Sequence, residues 1–237
     1  MEGYGQFCPV AKAAEIVAER WTPLVLRELI CGSHRFNDLQ RGVPLMSPSM
    51  LTQRLRTLQR AGVIERRPAQ RGRGWEYHLT EAGEELRPIV EQFGVWGQRW
   101  ARRKVEEGDL DAPLLMWDIR RCVRPDGLPD RRVVVAFTFP DVSSAHRHWW
   151  LVFHQGDVDL CLTDPGFDID VHVNTGLRTM TQVWLGDITV SDAMRSGAMT
   201  LNGRTALVRG FPRWIGLSSF ATVQRPQETT ADRIASA

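Results

Sequence analysis

The segment SPSMLTQRLRTLQRAG, residues 47–62, carries side chains of the types that bind nucleic acid. Ser47 and Pro48 are typical first residues of a helix, and Gly62 is a typical residue just past its end. Three leucines at i, i+4 and i+7 predict one buried face. The other face presents Ser49, Thr52, Gln53, Arg56 and Arg60. Such groups bind base edges and phosphates. Because the exposed face of an ordinary surface helix can show the same pattern, the surrounding sequence has to distinguish the two interpretations.

Positive charge is concentrated around this segment. Residues 35–73 contain nine arginines and two carboxylates, a net charge of +7, whereas the whole chain of 237 residues carries only +2. No acidic residue occurs between positions 39 and 64. A local basic region in a nearly neutral chain is the electrostatic footprint expected of a protein that binds DNA.

The flanking elements predict a winged helix-turn-helix. Residues 9–19 read as a helix with Val10, Ala14 and Val17 facing inward, a second helix runs from Thr22 to Gly32, and FNDLQRG forms a short turn of helix. After the polar helix, VIERR and WEYHL read as two strands. The tip between them, PAQRGRG, would bring Arg71 and Arg73 to the DNA backbone or minor groove.

These residues also carry a family resemblance. CPVAKAAEIVAERWTPLVLREL, FNDLQRGVPLMSPSMLTQRLRTLQRAGVIERR and WEYHLTEAG resemble the HxlR-type family of winged-helix transcription regulators, over about residues 7–103. The resemblance implies a dimeric regulator that binds double-stranded DNA. Because the sequence contains no GxSxG, P-loop, GxGxxG or HExxH motif, an enzyme is not expected. The expected DNA-binding residues are Ser47, Ser49, Thr52, Gln53, Arg56, Arg60, Arg71 and Arg73.

A further helix is predicted over 81–104, capped by Thr80 and either bent at Pro88 or effectively started there. Its apolar stripe is unusually aromatic for a surface helix and needs a partner to cover it: Leu86, Ile89, Val90, Phe93, Trp96 and Trp100. The resemblance implies that a second copy covers it, in a homodimer. Burial against the second half of this chain is the alternative.

The sequence predicts an α+β protein with a mainly helical winged helix-turn-helix domain at 1–105, a linker at 106–113, a second α+β domain at 114–221 and a disordered tail at 222–237. Within the second domain, DIDVHV, LRTMTQVWLG, SDAMRSG, MTLNG and a last helix broken near Pro212 resemble the sterol carrier protein type 2-like fold. That resemblance implies a tunnel for a lipid or other apolar molecule. The proposed lining is Phe137, Trp149, Phe153, Met180, Trp184, Met194, Phe211 and Trp214.

Other chemistry finds little support in the sequence. The four cysteines are widely spaced, and His146, His148 and His154 lack a carboxylate or cysteine to complete a metal site, so neither metal nor cofactor is expected. No signal peptide or membrane span is evident, which predicts a cytoplasmic protein. Two alternatives stay open: a redox-responsive regulator that uses Cys8, beside a helix N-terminus, and a DNA-independent carrier of apolar ligands.

Overall fold

The computed structural model describes residues 3–70, 72–101, 105–124 and 128–224. The chain is a mixed α+β protein that divides into two compact units, Met1–Phe93 and Gly94–Ala237. The division lies ahead of the boundary predicted at 105, and the domain limits stay a prediction. Arg71 and residues 225–237 of the predicted tail lie outside the described residues. No described helix combines the length and apolarity needed to cross a membrane.

The first unit contains the helices and the hairpin predicted for a winged helix-turn-helix. In chain order the elements are α1 (Pro9–Val17), α2 (Thr22–Ile30), α3 (Phe36–Gly42), α4 (Pro48–Arg60), β1 (Ile64–Pro68), β2 (Trp75–Leu79), α5 (Glu81–Glu84) and α6 (Arg87–Trp96), and α6 continues across the division. One apolar core holds α2, α3 and α4 together, with Leu26, Leu39 and Leu55 each at most 1% exposed.

One prediction for this unit is wrong. Val10 faces solvent, at 75% exposure, and α1 buries no residue completely. The segment predicted as a helix at 81–104 forms α5, then α6 and a π-helical turn at Gly97–Ala101, and residues 102–104 lie outside the described residues. The start of α6 at Arg87 is one of the two outcomes expected for Pro88. Thr80 caps α5 by accepting from the Gly83 N–H at 3.2 Å. Pro88 stands in the first turn of α6, where its missing N–H leaves no intrahelical hydrogen bond unmade.

The second unit is a five-stranded sheet packed with helices. Its elements are α7 (Ala112–Cys122), β3 (Val133–Thr138), β4 (His148–His154), β5 (Asp157–Cys161), β6 (Val171–Thr175), α8 (Leu177–Trp184), α9 (Val190–Arg195), β7 (Met199–Gly203) and α10 (Thr205–Trp214). The strand order is β5-β4-β3-β6-β7, and β3 and β6 are the parallel pair. A short 3₁₀ turn, Glu107–Asp109, and the start of α7 lie inside the segment predicted as a linker.

Two details of this unit also differ from expectation. The helix α10 runs unbroken through Pro212, since Leu207, Phe211 and Trp214 bury its apolar face and packing outweighs the lost hydrogen bond. The alternation in DIDVHV places Asp168, Asp170 and His172 on one polar face, but Asp170, just before β6, is buried, at 6% exposure. It accepts from the Val134 N–H at 3.1 Å and is paired with Arg131 and Arg204.

Candidate nucleic-acid interface

The helix α4 presents its polar residues on the side opposite its buried leucines. Ser49, Gln53, Arg56 and Arg60 are exposed and Thr52 is half-buried, whereas Leu51, Leu55 and Leu58 are at most 1% exposed. The structure therefore brings the predicted residues of this segment onto one accessible face. Apolar burial of the leucines fixes the rotation of the helix about its axis.

Two of the predicted DNA-binding residues, Ser47 and Thr52, use their hydroxyl groups in hydrogen bonds within α4. The Ser47 hydroxyl accepts from the Met50 N–H at 3.3 Å and lies 3.1 Å from the Ser49 hydroxyl. Thr52 donates its hydroxyl to the Pro48 carbonyl at 2.8 Å. By contrast, the side chains of Gln53, Arg56 and Arg60 have no hydrogen-bond or ion-pair partner within the described part of the chain. These three side chains of α4 are therefore available to donate hydrogen bonds to a ligand.

The arginines of the basic segment fall into two groups. Arg54 is mostly buried, where desolvation lowers the pKa of its guanidinium, and it forms an ion pair with Glu19. Others are also engaged: Arg35 with Glu76 at 3.5 Å, Arg41 with Asp38 at 3.1 Å, Arg67 with Glu65, and Arg66 4.1 Å above the ring of Trp75. Arg56, Arg60 and Arg73 have no such partner among the described residues. The unengaged positive charge is thus on α4 and at the tip of the hairpin.

The strands β1 and β2 form the predicted wing. They pair antiparallel from Ile64↔Leu79 to Pro68↔Trp75, and the Ala69 N–H donates to the Gly74 carbonyl at 3.1 Å. Gly72 and Gly74 have φ values of 76° and 112°, which a side chain would strain. Arg73 is exposed between them. The tip can therefore bring Arg73 close to a DNA backbone. Arg71 lies outside the described residues.

A contact that sequence reasoning missed anchors the wing to the helices. The segment just before α3 pairs with β2 along the edge of the hairpin. Arg35 and Glu76 form an antiparallel β-bridge, and the Tyr77 N–H donates a hydrogen bond of 2.8 Å to the His34 carbonyl. The rings of His34 and His78 stack with centroids 4.3 Å apart. Two extended residues between helices carry no periodic signal, so only the assembled fold shows this bracing.

The residues proposed to line a ligand pocket lie mostly in the core of the second unit. Phe137, Trp149, Phe153, Met180, Phe211 and Trp214 are each at most 4% exposed and belong to one cluster. The rings of Phe211 and Trp214 lie 4.9 Å apart, and the Trp214 indole N–H donates to the Leu207 carbonyl at 3.0 Å. Trp184 is half-buried and Met194 is exposed. The structure gathers six of the eight as packed core, and a pocket there stays a prediction.

Cys8, the proposed redox residue, is the residue before the first turn of α1. Its side chain is half-buried, and its carbonyl accepts from the Lys12 N–H at 3.1 Å. Among the described residues, no cluster of three or more histidine, cysteine or acidic side chains is arranged to hold a metal ion.

Comparison with known proteins identifies the family of the N-terminal region. The HxlR-like helix-turn-helix family matches residues 16–105. The transcriptional regulator YdeP of Bacillus subtilis is 37% identical over 97 residues, which cover 40% of this chain and 76% of YdeP. This chain belongs to the HxlR-like helix-turn-helix family. YvaP of the same organism, another HTH-type regulator, is 35% identical over 40% of this chain and 90% of its own.

A solved structure of the redox regulator HypR in its oxidized form is 34% identical, covers 41% of this chain and all of HypR, and has a TM-score of 0.38. YdeP and YvaP are both described as HTH-type transcriptional regulators. The matches to YdeP and YvaP each cover 40% of this chain.

Proposed function

We propose that this HxlR-like transcription regulator binds duplex DNA by placing α4 in a major groove and Arg73 of the wing against the backbone. The proposal rests on which arginines have an ion-pair or stacking partner and which do not. The other described arginines of residues 35–73 are ion-paired or stacked, whereas Arg56, Arg60 and Arg73 are left unpartnered within the described residues. Their charges would release counterions from phosphate, and Gln53 would face base edges.

The regulator is proposed to act as a homodimer. Apolar side chains just before α1, on α1 and on α6 are exposed: Phe7 at 99%, Val10 at 75%, Ile89 at 45% and Phe93 at 53%. Exposed apolar and aromatic residues of this kind are typical of interfaces. Two-fold symmetry would place the two α4 helices about one helical turn of DNA apart, roughly 34–36 Å. Acting on DNA, the protein would work in the cytoplasm.

For the second unit we propose a sterol-carrier-like fold that senses an apolar small molecule. The elements β6, α8, α9, β7 and α10 follow one another in the order expected from the resemblance, which supports the proposal without identifying the fold. Its packed aromatic core would have to open for a ligand to enter. Native mass spectrometry of the full chain, with and without added lipid extract, measures both the ligand and the oligomeric state. A chain that carries no lipid under either condition would contradict sensing.

Control by oxidation of Cys8 is the second candidate, favoured by its position at the start of α1 beside the exposed Phe7 and Val10. Oxidation there would alter the proposed dimer. If the thiol is the sensor, oxidant changes DNA affinity of the wild type but not of Cys8→Ser. Equal changes in both proteins would reject this candidate. A DNA-independent carrier remains the other alternative.

The DNA proposal is tested by selecting duplexes from a random library with the full chain. Two half-sites spaced by about one helical turn, enriched together, are expected for the dimer. Failure to enrich any duplex over a Gln53→Ala, Arg56→Ala, Arg73→Ala triple variant would contradict the proposal. Circular dichroism of the variant checks that it is folded.

A further inference from the structure

A cleft of about 830 Å³ lies within the first unit, between α1 and the C-terminal end of α4. The arm at Gly3 and Tyr4 forms one wall, Lys12, Glu15 and Ile16 of α1 form the second, and Thr57 and Arg60 of α4 form the third. This volume is in the range of sites for small molecules. The cleft is separate from the proposed apolar pocket of the second unit.

The carboxylates in the cleft are already neutralised. Glu15 accepts from the Tyr4 N–H at 2.8 Å and from Lys12 at 3.3 Å, and Glu19 is paired with Arg54. Arg60 has no partner among the described residues. Two carbonyls of the last turn of α4 are also occupied, since Thr57 accepts from the Ala61 N–H at 3.0 Å and Gln59 accepts from the Gly62 N–H at 3.1 Å. One guanidinium is therefore the unsatisfied charge of this cleft.

The remaining lining is apolar or small. Ile16 of α1 is half-buried, and Ala14, Ala18 and Ala61 also border the cleft. A ligand that fits must therefore combine a negative group for Arg60 with a compact apolar body for the alanines and Ile16. A purely inorganic anion would leave the apolar part of the lining in contact with water.

We propose that this cleft binds a small organic anion, a monocarboxylate with a compact apolar or aromatic body. The carboxylate accepts hydrogen bonds from the Arg60 guanidinium, because the planar fork of N–H donors matches the two oxygens of a planar carboxylate. The body lies against Ile16 and the alanines. Because the same arginine belongs to the proposed DNA interface, an occupied cleft competes with a phosphate contact. That regulatory part rests on the proposed function, whereas the binding itself does not.

The site also spans a weakly attached helix. α1 has no fully buried residue, and the Glu19–Arg54 pair ties the end of this segment to α4. A ligand that bridges Arg60 and α1 adds a second connection between them. Binding therefore slows amide hydrogen exchange in α1 as well as changing the surroundings of Arg60.

The test uses benzoate as the probe and the full chain without DNA, in isothermal titration calorimetry. We expect saturable binding with one benzoate per chain. Arg60→Ala weakens it by at least about tenfold, and the neutral isostere benzamide is weaker by a similar factor. Arg56→Ala removes the same charge one turn earlier, outside the cleft, and leaves benzoate affinity unchanged.

Nuclear magnetic resonance places the ligand, with shifts expected for the amides of Lys12, Glu15 and Ala61. Three results would overturn the proposal: no saturable benzoate binding to the folded wild type, equal weakening by Arg56→Ala and Arg60→Ala, or inorganic phosphate binding as tightly as benzoate. Benzoate binding in a chain that binds no duplex would refute only the proposed function. Duplex binding without benzoate binding would refute only this inference.

Discussion

Removal of the Glu28 carboxylate tests how the helix-turn-helix is held together. Glu28 lies on α2 and is 0% exposed. Its carboxylate accepts from Arg27 at 2.7 and 3.1 Å and from the Ser33 hydroxyl at 3.3 Å. Arg27 donates in turn to the Gly42 carbonyl at 2.9 Å, at the end of α3. The perturbation is Glu28→Ala, which leaves Arg27 and Ser33 without this acceptor.

The expected cost follows from burial. Breaking a buried ion pair from one side costs about 3–5 kcal/mol. The side chain of Arg27 is 30% exposed, so water screens part of the stranded charge and the lower end, about 3 kcal/mol, applies. A loss of about 3 kcal/mol raises the population of opened states by roughly 150-fold.

Hydrogen exchange followed by mass spectrometry measures this in the full chain. Peptides from α2, α3 and α4 are expected to exchange roughly 150-fold faster in Glu28→Ala, while peptides from β3 and β4 keep their rates. The matched control is Asp38→Ala, which breaks the exposed 3.1 Å pair with Arg41 and costs at most about 1 kcal/mol. Unchanged exchange in α2–α4, or acceleration equal to that of the control, would refute the reasoning.

Three further predictions concern other parts of the chain. Burial alone would raise the pKa of Asp170, but hydrogen bonds from Arg131 and the Val134 N–H and the charges of Arg131 and Arg204 lower it overall. Its stabilisation is therefore present above the unfolded pKa of about 3.9 and is lost as pH falls through the lower folded value, so thermal unfolding of Asp170→Asn is earlier than wild type at pH 7 and the gap closes below about pH 4. Gly203→Ala places a methyl against the Asp170 carbonyl at a φ of 151°, and faster hydrogen exchange in β6 and β7 is expected, with Gly197→Ala, which meets no atom within 4 Å, as the packing control. Phe93→Glu puts a charge on the proposed dimer face, and native mass spectrometry should show monomers where the wild type gives dimers; a dimeric variant would contradict that interface.

The local signals were sufficient to predict α4 and the wing. The helix α4 is predicted from a capping serine, Pro48 and leucines in helical spacing, and the wing is predicted from the alternation in WEYHL. Both patterns depend only on residues close in sequence. The HxlR-like resemblance then assigned the role of α4.

Features that depend on distant residues could not be read in the same way. The alternation of DIDVHV puts Asp170 on the polar face, and only Arg131 and Arg204, far along the chain, make its burial tolerable. Val10 has the spacing of a core residue, yet the face that α1 turns inward is decided by the helices it meets. Pro212 is tolerated because the burial of Phe211 and Trp214 outweighs its local cost.

The dependence of duplex affinity on salt tests the central claim that α4 and the wing grip DNA. Fluorescence anisotropy on a selected duplex should give a slope of log affinity against log salt that is smaller by roughly 0.9 for each lost phosphate contact, in Arg56→Ala and in Arg73→Ala. Arg213→Ala, an exposed arginine of α10, should leave the slope at its wild-type value. If both Arg56→Ala and Arg73→Ala kept wild-type affinity and slope, the assignment of this surface to DNA would be contradicted.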